Sequence, residues 1–174
     1  MKSFNAFLTE QVIVNVIINF AIAYYLSSAT LSALSHIPLL APSDHLLMPN
    51  ISGDLFVGTF LMGLIITLIT APITRAKRKK SSHNLGQFVA PTFIKKLPES
   101  LFMRGVVIGI VPAVVIALPI VMILTALDIN QLQSSDYIIY HALYAATMAG
   151  FISYATVSRN LAENPAAITF NTSH

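Results

Sequence analysis

Gln11, Asn15 and Asn19 follow one another at intervals of four residues, which places three amide side chains on one face of a helix. A second row, Thr59, Gly63, Thr67, Thr70 and Thr74, recurs at intervals of three and four and likewise shares a face. An amide or hydroxyl in apolar surroundings is costly unless hydrogen-bonded, so both rows should turn toward protein. At a rise of about 1.5 Å per residue, Asn19 falls level with Thr67, and Asn15 with Thr70 or Thr74. Gln11, Asn15, Asn19, Thr67, Thr70 and Thr74 are thus a candidate polar site inside an apolar setting. Its chemistry is hydrogen bonding, either to a small polar solute or between two helices.

His141 is an ionisable side chain set within an apolar run, about one and a half turns past Asp136. It could handle a proton or ligate a metal, or it could be a neutral, hydrogen-bonded histidine near the outer end of its helix. A lone helical histidine does not make a bis-histidine haem site. His36, His45, Asp44 and Asp54 follow no metal-binding spacing, so neither a metal nor a cofactor is expected. The chain has no Cys, which excludes dithiol chemistry, a disulfide framework and thiolate ligation. No phosphate loop, metalloprotease helix or Ser/His/Asp sequence array is present, and the expectation is a protein that is not an enzyme. No Asp, Glu, Lys or Arg lies near the middle of an apolar stretch, which argues against proton-coupled export.

These residues sit on four long apolar stretches, 11–34, 55–74, 104–127 and 137–158, separated by an outer loop 35–53, a basic loop 75–100 and a short turn, and followed by a tail 160–174. Each stretch meets the roughly 20 residues that a helix needs to cross a hydrocarbon core. At 55% hydrophobic and 10% charged, the chain has well under the roughly 25% charge of soluble domains. The expected fold is an all-α, integral membrane four-helix bundle in one domain, 1–174. Ser52-Gly53-Asp54 with Thr74-Arg75, and Ser134-Ser135-Asp136 with Ser158-Arg159, bracket the second and fourth helices alike. Two hairpins related by a pseudo-two-fold along the membrane normal would produce that match. Ser52 is the expected cap of the second helix. Pro112 and Pro119 should kink the third helix. Two rows of small residues on the fourth, through Ala142, Ala146 and Gly150 and through Ala145, Ala149 and Ser153, invite close packing against Gly105 and Gly109 of the third, or a homo-oligomer contact.

All ten Lys and Arg fall on one side if each stretch crosses once: Lys2, Arg75, Lys77, Arg78, Lys79, Lys80, Lys95, Lys96, Arg104 and Arg159. By the positive-inside pattern, both termini and the basic loop are cytoplasmic, in a bacterial inner membrane. Topology accounts for the net charge of +3, so no nucleic-acid partner is implied. The partner expected is the bilayer itself, with Arg75, Lys77, Arg78, Lys79, Lys80, Lys95 and Lys96 as candidate contacts to anionic headgroups. Residues 85–97 read as interfacial, with Phe88, Phe93 and Ile94 dipping into the acyl boundary.

Asn15-Val16-Ile17-Ile18-Asn19-Phe20, together with Asp54 through Ala71-Pro72-Ile73-Thr74-Arg75, resembles small four-helix bacterial inner-membrane proteins of unknown function that are described as permease-like. The resemblance covers mainly the first hairpin. It carries over no activity; the inner polar face and the kinked third helix are what lead to the expectation of a small-solute permease or channel-like protein. A non-catalytic membrane interaction or assembly protein is the other expectation.

Overall fold

A computed structural model describes residues 4–41, 48–81 and 88–163. The long helices are α1 (Phe4–Leu31), α2 (Ile51–Ser81), a third rod made of α4 (Leu101–Pro112), a π-helical turn (Ala113–Ala117) and α5 (Leu118–Ala126), and α6 (Ser134–Ala162). A single turn, α3 (Thr92–Lys95), precedes the third rod, and two short strands, β1 (His36–Pro38) and β2 (Gln131–Gln133), join the helices at one end. All four rods are long and apolar enough to cross a membrane. The four-helix, all-α architecture is therefore as expected.

The helices outrun the apolar stretches that announce them. α1 begins at Phe4 rather than 11 and ends at Leu31 rather than 34, and α2 continues through the basic run to Ser81. Hydropathy marks the length that can be apolar, whereas Arg, Lys and Ala keep a helix going wherever their backbone bonds close. Asn50 caps α2, its Oδ1 accepting the Gly53 N–H at 2.7 Å. Ser52 lies inside the first turn instead, and its hydroxyl donates to the Leu39 carbonyl at 2.6 Å. In the third rod, Pro112 and Pro119 each lack an N–H, and the ring of Pro119 crowds the carbonyl four residues back. The chain relieves this by widening one turn: the Leu118 N–H reaches back to the Ala113 carbonyl, a π-type bond.

The two helices of each hairpin are not each other's main neighbours. α1 packs chiefly against α6, α4 chiefly against α2, and α2 and α6 pack together between them. Each hairpin thus lays its first helix on the second helix of the other. The strands β1 and β2 are antiparallel, with Ile37 opposite Leu132, and the ladder ends in Leu39 N–H to Asn130 O (2.8 Å) and Ser134 N–H to Ser35 O (3.1 Å).

This arrangement corrects two sequence expectations. Gly105 and Gly109 do not serve contact with α6; they let α4 lie on α2. A Cβ on Gly63 would fall 2.4 Å from the Gly109 Cα, and one on Gly109 would fall 2.7 Å from the Phe60 carbonyl oxygen. The small-residue rows of α6 instead receive α1 and α2: Ala142 and Ala145 cluster with Ala23, and a Cβ on Gly150 would stand 3.2 Å from Val16. Nor is α1 laid along α2 as the amide and threonine rows suggested.

Candidate functional site

Because α1 faces α6, the six residues of the expected polar site are not brought together. Asn15 Nδ2 donates to the Gln11 carbonyl at 2.9 Å and Asn19 Nδ2 to the Asn15 carbonyl at 2.8 Å, both within α1. Gln11, Asn15 and Asn19 are half-buried. The threonines are fully enclosed between α2 and its neighbours. Thr67 shares a 3.1 Å hydrogen bond with Thr156 of α6, and Thr74 donates to the Thr70 carbonyl at 2.8 Å. The Asn15, Asn19 and Thr74 side chains thus bond carbonyls of their own helices, and Thr67 bonds Thr156 of α6.

At the strand end, a polar group forms around His141. Ser27 Oγ of α1 lies 2.7 Å from His141 Nδ1. The His141 ring stacks on Tyr137, with centroids 5.6 Å apart and planes 13° from parallel. Tyr137 in turn donates its hydroxyl to Asp54 Oδ2 of α2 at 3.0 Å. One turn deeper, Thr59 gives its hydrogen to the Leu55 carbonyl at 2.6 Å, which leaves Tyr144 as the donor in their 2.7 Å contact. A cavity of about 390 Å³ opens beside Tyr137, His141 and Tyr144, its far wall aliphatic. His141 is therefore a hydrogen-bonded histidine that ties α1 to α6 beside a mostly apolar pocket. Ser27, Tyr137 and Tyr144 were not legible as its companions, because Ser27 is more than a hundred residues away and the aromatic spacing on α6 reads equally as core.

A larger polar cluster occupies the opposite, basic end. Glu163, just past α6, gathers three arginines. Arg75 of α2 grips it with two bonds, Nε to Oε2 at 2.8 Å and Nη2 to Oε1 at 3.0 Å. Arg104 of α4 donates Nη2 to Oε1 at 2.7 Å, and Arg159 stands 3.6 Å away. Arg104 has no exposed surface. Its remaining donors reach the Pro98 carbonyl (2.8 Å), the Glu99 carbonyl (3.0 Å) and Asn160 Oδ1 (2.8 Å). An arginine survives burial only when its fork is matched this fully. Burial alone would raise the Glu163 pKa, but hydrogen bonds from Arg75 and Arg104, with their charges, hold the carboxyl below its ordinary value. From sequence, Arg104 reads as one more topological cation and Glu163 as part of a loose tail. Only the Arg159–Glu163 spacing of four hinted at the pairing; nothing linear connects Arg75, Arg104 and Glu163.

The seven candidate headgroup contacts divide accordingly. Arg75 is committed to Glu163, Arg78 reaches the Asn160 carbonyl at 3.4 Å, and the Lys77 ammonium lies 5.9 Å from the centre of the Phe7 ring. Lys79, Lys95 and Lys96 are exposed. The side chain of Lys80, residues 82–87 of the loop and 164–174 of the tail lie outside the described residues, as do Lys2, Asp44 and His45. Of the residues 85–97 read as interfacial, Phe93 is exposed, whereas Ile94 is buried and Phe88 packs with Phe7, Leu8, Val157 and Leu161.

Compared with family models, curated proteins and solved structures, the chain matches none of them. The class rests on the fold itself: a bundle of four apolar helices, stapled by charge at one end and by a two-stranded ladder at the other.

Proposed function

We propose that this is a multi-pass inner-membrane protein, with both termini and the basic loop cytoplasmic, that acts through interaction with membrane components rather than by conducting solute. The observation that carries this reading is the close contact of α2 with both α4 and α6. Gly63 and Gly109 bring α2 and α4 to backbone contact, and Thr67 and Thr156 join α2 to α6. A path for a polar solute would have to part both. The charge distribution supports the orientation, since described cations cluster where α2, α4 and α6 meet Glu163. Large apolar side chains, including Ile17, Tyr25 and Ile69, face outward from the bundle, the composition of a lipid-facing surface. The test is reconstitution: vesicles containing the protein should pass small neutral and charged solutes no faster than protein-free vesicles. Saturable solute flux would overturn the reading.

A small-solute permease is the second reading. It is favoured by the π-helical turn between Pro112 and Pro119 and by the pocket beside His141, since widened turns and broken helices can line transport sites. Under that reading, flux should depend on His141 and fall in His141→Phe.

A further inference from the structure

Two cavities adjoin at the basic end, on the side of the bundle where α3 meets α6. One is an apolar groove of about 650 Å³, walled by Val107, Val111, Phe151 and Tyr154 and floored by Phe93 and Ile94 of α3. The other is a pocket of about 670 Å³ lined by Asn5 and Thr9 of α1, by Thr92 and Lys95 of α3, and by Tyr154 again. The α3 turn divides them, with Phe93 and Ile94 on the apolar side and Thr92 and Lys95 on the polar side. Tyr154 borders both.

We propose that this pair of cavities is a binding site for one anionic phospholipid of the cytoplasmic leaflet. An acyl chain lies in the groove, and the phosphate lies in the polar pocket against Lys95. The inference rests on the membrane orientation proposed above and names the partner class. Three observations select this occupant. The groove is apolar and, at about 650 Å³, roomy enough to shelter a chain, and it lies beside the end where the cations sit. The polar pocket adjoins it at one turn of helix, so chain and headgroup are reached together. Lys95 is exposed rather than paired with Glu163, and Thr92, Thr9 and Asn5 supply uncharged donors around it. Anionic lipid fits that combination of one cation and several neutral donors, and Lys96, next in sequence, is also exposed.

The chain contains no Trp, so Phe93→Trp installs a single, selectively excited tryptophan in the groove. The variant is reconstituted in phosphatidylcholine vesicles carrying a minor fraction of lipid with brominated chains, as either phosphatidylglycerol or phosphatidylcholine. Brominated phosphatidylglycerol should quench about fivefold more efficiently per lipid than brominated phosphatidylcholine, the factor that one near-surface cation provides. Adding Lys95→Gln should remove that preference, whereas Lys79→Gln should leave it. Native mass spectrometry of the unlabelled protein reads the same equilibrium without the fluorophore, and Val111→Trp, at an exposed position, should reduce retained phosphatidylglycerol by obstructing the groove. Equal quenching by both lipids, equal effects of Lys95→Gln and Lys79→Gln, or equally tight binding of free glycerol phosphate would each overturn the proposal. Topology reporters test the orientation separately, so an inverted protein would be recognised as a failure of that premise and not of the site.

Discussion

Glu163 is the residue on which the basic end turns. Its carboxylate is nearly buried and answers three arginines, one of them with no exposed surface. Glu163→Gln would keep the shape but leave the Arg104 and Arg75 charges without their counterion. Stranding a buried charge costs about 3–5 kcal/mol, and a thermal melt in detergent micelles should register the loss. The pH dependence follows from the same geometry. The folded carboxyl has a lowered pKa, so its contribution is fully present above the ordinary glutamate value of about 4.3 and declines as pH falls through the folded value below it. Wild type should thus lose stability on acidification below about pH 4.5 by more than Glu163→Gln does. Ser153 makes the opposite case: its hydroxyl is buried without a hydrogen-bond partner, unlike that of Thr156 one turn on. An unsatisfied hydroxyl carries a desolvation penalty of about 1–3 kcal/mol, so Ser153→Ala should be neutral or stabilising in the same melt, where Thr156→Val should destabilise.

Among the elements, the crossing of α2 and α4 is the tightest. Backbone meets backbone there, and a methyl group at Gly63 has nowhere to go except into Gly109. Gly63→Ala should force the helices apart at a cost of about 1–3 kcal/mol, while Gly58→Ala, with open space around it, should be tolerated or favourable. Comparing their melting temperatures separates a packing role from a helix-propensity effect, which alone would favour alanine at both. The same crossing shows where sequence reasoning stops. Hydropathy fixed the four helices because twenty apolar residues in a row have few alternatives. The spacing of Gly63, Thr67, Thr70 and Thr74 correctly gave one enclosed face. A periodicity names a face, however, and not the helix that covers it. Gly105 and Gly109 were legible as a close-approach surface, and only the fold decides that α2 rather than α6 approaches. The amide row of α1 misled for a related reason: Asn15 and Asn19 can bond carbonyls one turn back, so their presence did not require a partner helix. The Arg104–Glu163 pair was illegible because one member lies in α4 and the other just past α6, far apart in sequence, and each has an ordinary explanation alone.

For the whole molecule, the two ends are held by different physics, and this decides how it should respond to solvent. The basic end depends on charges that partly face water, while the opposite end depends on a ladder and on serine hydroxyls donating to the Leu31 and Leu39 carbonyls. Salt screens the first and scarcely touches the second, with a Debye length near 10 Å at about 0.1 M salt and 3 Å at about 1 M. The orientation proposed above places the charged end in the cytoplasm. Reporter fusions at Lys79 and at Gln131 should then report opposite sides, cytoplasmic for Lys79. An outer location for Lys79 would reverse the molecule. Once that is established, hydrogen exchange in micelles distinguishes the two ends. Raising salt should speed exchange of amides in the last turn of α6, around Asn160 and Leu161, and leave the β1–β2 amides unchanged. Equal acceleration at both ends would mean that the Glu163 cluster does not fasten the helices, and that packing of Val157 and Leu161 against Phe7 and Leu8 holds that end instead.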